Sequence, residues 1–121
     1  MTRTVIRHLF VLILAIAATV VAAAHHGWSD YNEKMPLTVD GTITAFAYVN
    51  PHGTLKLKAD KDGKVWDVVL APVARMQTRG LTKAMLNVGT RATVLGYQHK
   101  TVATEMRAEN ITIDKKKVEL R

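Results

Sequence analysis

The sequence contains no cysteine, only three prolines and few aromatic residues. Without cysteine the chain has no disulfide bonds, no thiolate metal ligands, no cysteine nucleophile and no lipid-bearing cysteine of the kind found in bacterial lipoproteins. Any metal site must therefore be built from nitrogen and oxygen ligands. The sequence also shows no Ser-His-Asp catalytic motif, no nucleotide-binding glycine loop and no HExxH motif. Hydrolase and nucleotide chemistry consequently have no support, and we predict no catalytic residues.

The chain also lacks an apolar run long enough to span a membrane, which takes roughly 20 residues. Its longest uncharged apolar stretch covers residues 9–21, with Arg3 and Arg7 before it and small residues after it. A positive start, a short apolar stretch and small residues are typical of a secretory signal peptide. We expect residues 1–24 to be removed on export. This leaves no stable membrane span and predicts a periplasmic or secreted protein of the bacterial envelope.

Two histidines, His25 and His26, directly follow the predicted cleavage site. Cleavage after Ala24 makes His25 the first residue, and its free amine and imidazole can chelate one metal ion together. Cleavage after Ala23 leaves a histidine third from the amine, an arrangement that surrounds Cu(II) or Ni(II) with nitrogen atoms in a plane. Both cuts are compatible with copper. The alternative is that these histidines are polar residues of a frayed terminus.

Residues 25–121 suffice for one small domain. The formal net charge of the whole chain is +7, which favours nucleic acid, anionic lipid or acidic partners. Export argues against nucleic acid, and most of the basic residues are scattered along the sequence. The one cluster, at residues 115–117, is consistent with a solvated turn. We therefore expect no nucleic-acid partner.

The hydrophobic pattern after residue 36 predicts short strands. We expect a histidine-containing segment over residues 25–36, linker-like from residue 29, and a β-domain over residues 37–121. In the first strand, Ile43 and Val49 are expected on one face, with Phe46 and Tyr48 on the other. The predicted strands cover residues 37–49, 54–59, 65–70, 91–97 and 106–113, and residues 118–120 extend the sheet.

The connection between the third and fourth strands has a looser periodicity. It predicts a short helix from Val73 that is broken at Gly80, followed by a further helical turn near Leu86. Three strands, a helical connection and two more strands are typical of a small five-stranded OB-like Greek-key barrel, which is mainly β. The alternative is a flattened β-sandwich with the helical segment across one end.

Several short motifs together resemble a family of small exported bacterial proteins that is catalogued as a domain of unknown function. Its members carry an Ala-His-His mature N-terminus and an Asn-Pro-His turn. The resemblance covers nearly all of the chain after the signal, and it implies an envelope location and a small β-fold but no activity. The matching motifs are Ala24-His25-His26-Gly27-Trp28, Gly41-Thr42-Ile43-Thr44, Asn50-Pro51-His52, Val65-Trp66, Val88-Gly89-Thr90 and Gly96-Tyr97.

Two further histidines lie in predicted loops. In the OB-like arrangement His52 lies in the loop that joins strands one and two, and His99 lies in the loop that joins strands four and five. These two loops flank the ligand-binding face. The two rings are therefore expected to converge, and the N-terminal segment is long enough to bring His25 and His26 to the same end. The alternatives are that His52 only caps its turn and that His99 has no role in a site.

From these observations we predict an exported metal-binding protein with ligands drawn from His25, His26, His52 and His99. Neutral imidazole suits copper, which we expect, and also zinc, which is the alternative. Such a site would carry, buffer or sense the ion. The competing hypothesis is a non-catalytic interaction module that binds an envelope protein partner or an anionic component.

Overall fold

Six strands and two short helical segments make up the domain that follows residue 30. The structure is a computed structural model, and residues 27–121 are described. Residues 27–29 are helical and belong to a unit separate from Tyr31–Arg121. The elements of the second unit are β1 (Tyr31–Ala47), β2 (Thr54–Ala59), β3 (Val65–Val69), α1 (Val73–Arg79), a 3-10 helix (Lys83–Leu86), β4 (Arg91–His99), β5 (Glu105–Ile113) and β6 (Lys116–Glu119).

The strand pairings form a closed circuit. β1 pairs in antiparallel fashion with β2 on one side and with β4 on the other, β2 pairs with β3, and β4 pairs with β5. A short parallel pairing between β3 and β5 joins the two ends. This is the five-stranded Greek-key barrel of the OB type, as predicted from the order of the elements. The short β6 extends the sheet as a hairpin partner of β5.

The barrel interior is filled by the alternating apolar residues of the strands. On β2, Leu55 and Leu57 are buried while the lysines between them face solvent, and on β3 the buried residues are Trp66 and Val68. The sequence pattern predicted these faces correctly. The two helical segments cover the core with Met76 and Leu86, both completely buried. Met106 of β5 is likewise completely buried in this core.

The first strand differs from the prediction in two ways. It begins at Tyr31 and not at Leu37, so that it runs through Pro36, and it ends at Ala47 and not at Val49. This half of β1 pairs with β4, whereas its pairing with β2 begins only at Gly41. A proline is tolerated on such a free edge because the amide hydrogen that it lacks is not needed there. The exposed residues before Leu37 give no apolar alternation, so the pattern suggested a linker.

A bulge in β1 changes which side chains face the core. The register with β2 shifts between Ile43 and Ala45, and an extra residue reverses the alternation beyond it. Phe46 and Tyr48 consequently pack against the core, whereas Val49 is exposed. The prediction that Val49 shares a face with Ile43 was wrong for this reason.

The helical connection agrees with the predicted one. α1 ends at Arg79 and is capped by Gly80, whose φ of 86° is the left-handed conformation that glycine adopts readily. The 3-10 helix follows at once and leads into β4. Within residues 27–121, no helix combines the length and the apolar character needed to cross a membrane.

Candidate functional site

The loop between β1 and β2, residues 48–53, is tied to the segment that follows β3. The amide of Gly53 donates to the carbonyl of Ala71 at 2.8 Å, and the hydroxyl of Tyr48 donates to the carbonyl of Leu81 at 2.7 Å. Asn50 accepts a hydrogen bond from the amide of Val73, the first residue of α1, at 3.2 Å. These bonds anchor the loop at several points, and they fix the position of its histidine.

His52 lies half-buried in this loop and faces β5. Its Nε2 atom is 3.5 Å from Nη2 of Arg107, whose side chain is buried. Burial lowers the pKa of His52, and the positive charges of Arg107 and Arg75 lower that pKa further. The fold therefore favours a neutral imidazole at this position, in a surrounding of positive charge.

His99 ends β4 and organises the loop that follows. Its Nδ1 atom accepts hydrogen bonds from the amides of Thr101 at 3.1 Å and Val102 at 3.0 Å. The ring of Tyr31 packs edge-on against the imidazole, with 5.2 Å between the ring centroids. One nitrogen of His99 is thus used to shape the loop between β4 and β5.

Tyr31 and Arg107 lie between the two histidines. The Arg107 guanidinium carbon is 5.9 Å from the centroid of the Tyr31 ring, and the Tyr31 hydroxyl donates a hydrogen bond to Glu105. A continuous line of contacts thus runs from His52 through Arg107 and Tyr31 to His99. Two side chains thus connect the histidines, and each imidazole contacts a different neighbour.

The part of the chain that the structure describes does not bring the predicted metal ligands together. Among residues 27–121, no group of three histidine, aspartate or glutamate residues is arranged to hold an ion. His25 and His26 lie outside the described residues. A site that joins them to His52 or His99 therefore stays a prediction.

A groove of about 410 Å³ is lined by residues of β1, β2 and β3 and by the first residue of β5. Ala45, Ala47 and Val69 contribute apolar surface, and Glu105 lies at its rim. Inside it Lys56 and Asp67 form an ion pair with 2.5 Å between Nζ and Oδ1. In OB-type barrels the face formed by the second and third strands binds ligands. The groove is thus the principal candidate binding surface of the barrel.

Sequence reasoning missed Tyr31, Arg107 and the groove. Arg107 occupies an outward position on β5 and is buried only because other elements pack over it, which no local pattern reveals. Tyr31 lies in the stretch interpreted as a linker. The outward Val69 on β3 was the one available signal, since an apolar residue on a solvent face often marks a contact surface.

A family comparison covers most of the chain. The pattern of the DUF6152 family, a family of unknown function, matches residues 13–107. The chain belongs to this family. The match agrees with the resemblance to an uncharacterised family, and it assigns no activity to the DUF6152 chain. No curated protein matches the sequence.

A comparison with solved structures supports the fold. A chain of the Stn1-Ten1 complex of S. pombe is similar with a TM-score of 0.53 and 17% sequence identity, over 67% of the DUF6152 chain and 59% of that chain. The DUF6152 chain therefore spans less than two thirds of the length of this neighbour. At so low an identity the similarity shows only the fold, which is that of a small OB-like β-barrel.

Proposed function

We propose that this DUF6152 protein is an exported metal-binding protein whose ligands are the terminal amine and the imidazoles of His25 and His26, with copper as the preferred ion. The observation that carries the proposal is the sequence Ala22-Ala23-Ala24-His25-His26, in which two imidazoles directly follow a signal-like segment. A set of nitrogen ligands with no thiolate suits Cu(II), and zinc is the alternative ion.

The electrostatics of the barrel support a site at the terminus alone. An ion at His52 would approach the positive charges of Arg107 and Arg75, which raises the cost of binding a cation there. His99 already uses Nδ1 to hold its own loop. We therefore leave both residues out of the proposed ligand set, and the barrel serves as the carrier of the terminal site.

Isothermal titration with Cu(II) tests this proposal on the protein recovered after export. The test variant carries His25→Ala and His26→Ala. The matched control carries His52→Ala and His99→Ala, which removes the same number of imidazoles from the barrel. We expect the wild type and the control to bind one Cu(II) with similar affinity, and the terminal variant to bind at least about tenfold more weakly.

The remaining outcomes contradict the proposal. Equal binding by all three proteins would place the ion elsewhere, and a loss confined to the control would move the site to the barrel. Binding by none of them would leave the second candidate function, a non-catalytic interaction module.

The groove favours this second candidate. Its apolar surface and its Lys56–Asp67 ion pair suit a protein segment with apolar and polar side chains. A photo-reactive cross-linker at Thr54, on the groove, identifies a partner in the envelope. Val69→Glu is expected to abolish this cross-link, whereas Val65→Glu, at an exposed position of the same strand outside the groove, is expected to preserve it. Loss with both variants, or with neither, would rule out the groove.

A further inference from the structure

The strand register places Arg107 beside the groove. Thr54 of β2 pairs with Val69 of β3, and Val69 pairs with Arg107 of β5. Residues that are paired across neighbouring strands point to the same face of a sheet. Because Thr54 and Val69 line the groove, Arg107 occupies the next position in their row. The groove therefore has a guanidinium next to it on the side of β5.

The loop of residues 48–53 brings an imidazole to this guanidinium. Nε2 of His52 lies 3.5 Å from Nη2 of Arg107. The loop is held in place because both the amide and the carbonyl of Gly53 are hydrogen-bonded, at 2.8 Å, to the segment that follows β3. The next residue, Thr54, begins β2 and lines the groove. His52 and Arg107 are thus held together beside the groove.

Helix α1 adds a second guanidinium to the pair. After burial, which is the largest cause in both cases, Arg75 lowers the pKa of His52 and that of Arg107. Nη1 of Arg75 donates to the carbonyl of Leu120 at 3.2 Å, and a neutral acceptor leaves the charge of the guanidinium in place. We call His52, Arg75 and Arg107 the cationic cluster.

The elements that form the cationic cluster contribute few carboxylates, and these have other partners. Neither the loop of residues 48–53 nor α1 contains aspartate or glutamate. β5 carries two glutamates: Glu105 accepts a hydrogen bond from the hydroxyl of Tyr31, and Oε2 of Glu109 lies 3.6 Å from Nη1 of Arg121. The fold therefore concentrates positive charge beside the groove.

The chemistry of the cluster suits an anionic ligand. A guanidinium presents five N–H donors in a planar fork that matches the two oxygen atoms of a carboxylate. Hydrogen bonds between charged groups of this kind are shorter and stronger than neutral ones. Burial of a positive charge is costly unless an opposite charge is close, so a carboxylate would also stabilise Arg107, whose side chain is buried.

We propose that the cationic cluster binds a carboxylate of a peptide segment that lies in the groove. The groove, at about 410 Å³, has room for more than an isolated carboxylate, and Ala45, Ala47 and Val69 give it apolar surface. An extended segment can place small apolar side chains there and its carboxylate at the cluster. Either an acidic side chain or the end of a chain supplies this group. The inference rests on the second candidate function and is independent of the metal site.

Titration followed by nuclear magnetic resonance tests the proposal on the protein recovered after export. One probe is N-acetyl-tetraalanine with a free terminal carboxylate, and another is N-acetyl-Ala-Ala-Glu-Ala amide, whose carboxylate is on a side chain. N-acetyl-tetraalanine amide has no carboxylate and is the control peptide.

Three variants of the protein accompany these probes. Arg107→Gln and Arg75→Gln each remove one guanidinium from the cluster, and Arg75 is exposed, so its variant tests the cluster even where Arg107→Gln does not fold. Lys61→Gln is the matched control, because it removes the same charge at an exposed position outside the cluster and the groove.

We expect at least one carboxylate peptide to bind about tenfold more tightly than the control peptide, because hydrogen bonds to charged groups are the stronger kind. Which of the two binds more tightly identifies the source of the carboxylate. The amide signals of Thr54 and Val69 should shift on binding. The pKa of His52, followed by its ring signals, should rise because a bound anion favours the charged imidazole. Arg107→Gln should weaken binding about tenfold, Arg75→Gln less, and Lys61→Gln hardly at all.

Other results would overturn the inference. Equal binding of all three peptides would leave the groove as a docking surface without a carboxylate site. Binding of none of them would exclude the site, whereas the cross-link at Thr54 tests the groove separately. An unchanged pKa of His52 on binding would place the carboxylate elsewhere. Equal weakening by Lys61→Gln and by the cluster variants would show a dependence on net charge alone.

Discussion

The Nη2 atom of Arg107 lies 3.5 Å from Nε2 of His52, although the two residues are 55 positions apart in the sequence. This contact connects the loop between β1 and β2 to β5. Burial lowers the pKa of Arg107, and Arg75 and Arg121 act in the same direction. The pKa of His52 is lowered as well, by burial first and then by the two arginines. The pair therefore makes folding sensitive to protonation of one imidazole.

The contact predicts how stability depends on pH. Because the folded pKa of His52 lies below the unfolded value of about 6.5, the unfolded chain takes up the proton first as the pH falls. The stability that the fold gains from keeping this imidazole neutral is present above pH 6.5, and it is lost as the pH falls from there through the folded pKa. The unfolding free energy of His52→Gln, measured by urea denaturation, should fall less steeply over this range than that of the wild type.

The control for this prediction is His99→Gln, which removes the ring in the neighbouring loop. A pH profile of His52→Gln that is parallel to the wild-type profile would contradict the role assigned to Arg107 and Arg75. A profile that becomes flatter only in His99→Gln would contradict it equally.

The Tyr31 hydroxyl provides a second prediction, because it donates to the charged carboxylate of Glu105. Hydrogen bonds to charged groups contribute more than neutral ones, so Tyr31→Phe should lower the unfolding free energy by about 2 kcal/mol. Tyr48→Phe is the matched control: it removes a neutral bond to the carbonyl of Leu81 and should cost about 1 kcal/mol. Denaturation that gives equal costs, or the reverse order, would contradict this description of β1 and the loop after β4.

A third prediction concerns the close approach of β4 and β5. A Cβ atom added at Gly96 would lie 2.2 Å from the carbonyl oxygen of Arg107, a backbone atom that cannot move aside without disturbing the strand. Gly96→Ala should therefore destabilise the barrel by about 3 kcal/mol.

Gly63→Ala is the comparison for that substitution. No atom lies within 4 Å of its added Cβ, and only its φ of 71° is unfavourable for alanine. Gly63→Ala should therefore lower the unfolding free energy by about 1 kcal/mol. In thermal unfolding we expect a lower melting temperature for Gly96→Ala than for Gly63→Ala. Similar melting temperatures would contradict the close approach of β4 and β5 at Gly96.

The exposed ion pair in the groove should contribute little to stability. Lys56 and Asp67 are both about half exposed, and such pairs are typically worth less than about 1 kcal/mol. Lys56→Gln should change the unfolding free energy by no more than that amount in urea denaturation. A loss of several kcal/mol would mean that the pair supports the barrel and is not available to a ligand.

The sequence alone predicted the barrel because the evidence for it is local. Alternating apolar residues in β2 and β3 fixed their faces, and the position of Gly80 fixed the end of α1. The order of three strands, a helical connection and two more strands then indicated the OB-type barrel. The beginning of β1 was missed because residues 33–36 are all exposed and show no apolar alternation. The bulge near Thr44 was missed because it depends on pairing with β2.

The candidate site was predictable only in part. The sequence placed His52 in the loop between β1 and β2, as the structure shows, but the prediction that His99 lies in a loop was wrong, because β4 continues to His99 and pairs there with Tyr31. It did not reveal that Arg107 faces His52, because burial of an outward arginine depends on elements that are distant in sequence. It also treated Lys116 as part of a solvated turn, whereas the fold bonds this lysine to the carbonyl of Gly80 at the end of α1.

Native mass spectrometry of the protein recovered from copper-supplemented cells tests the central claim most directly. It measures the mass of the chain, and hence the position of its first residue, together with any retained ion. The account predicts a chain that begins at His25 or Ala24 and holds one copper ion. A chain that keeps residues 1–24, or one that begins at His25 and holds no metal, would contradict it.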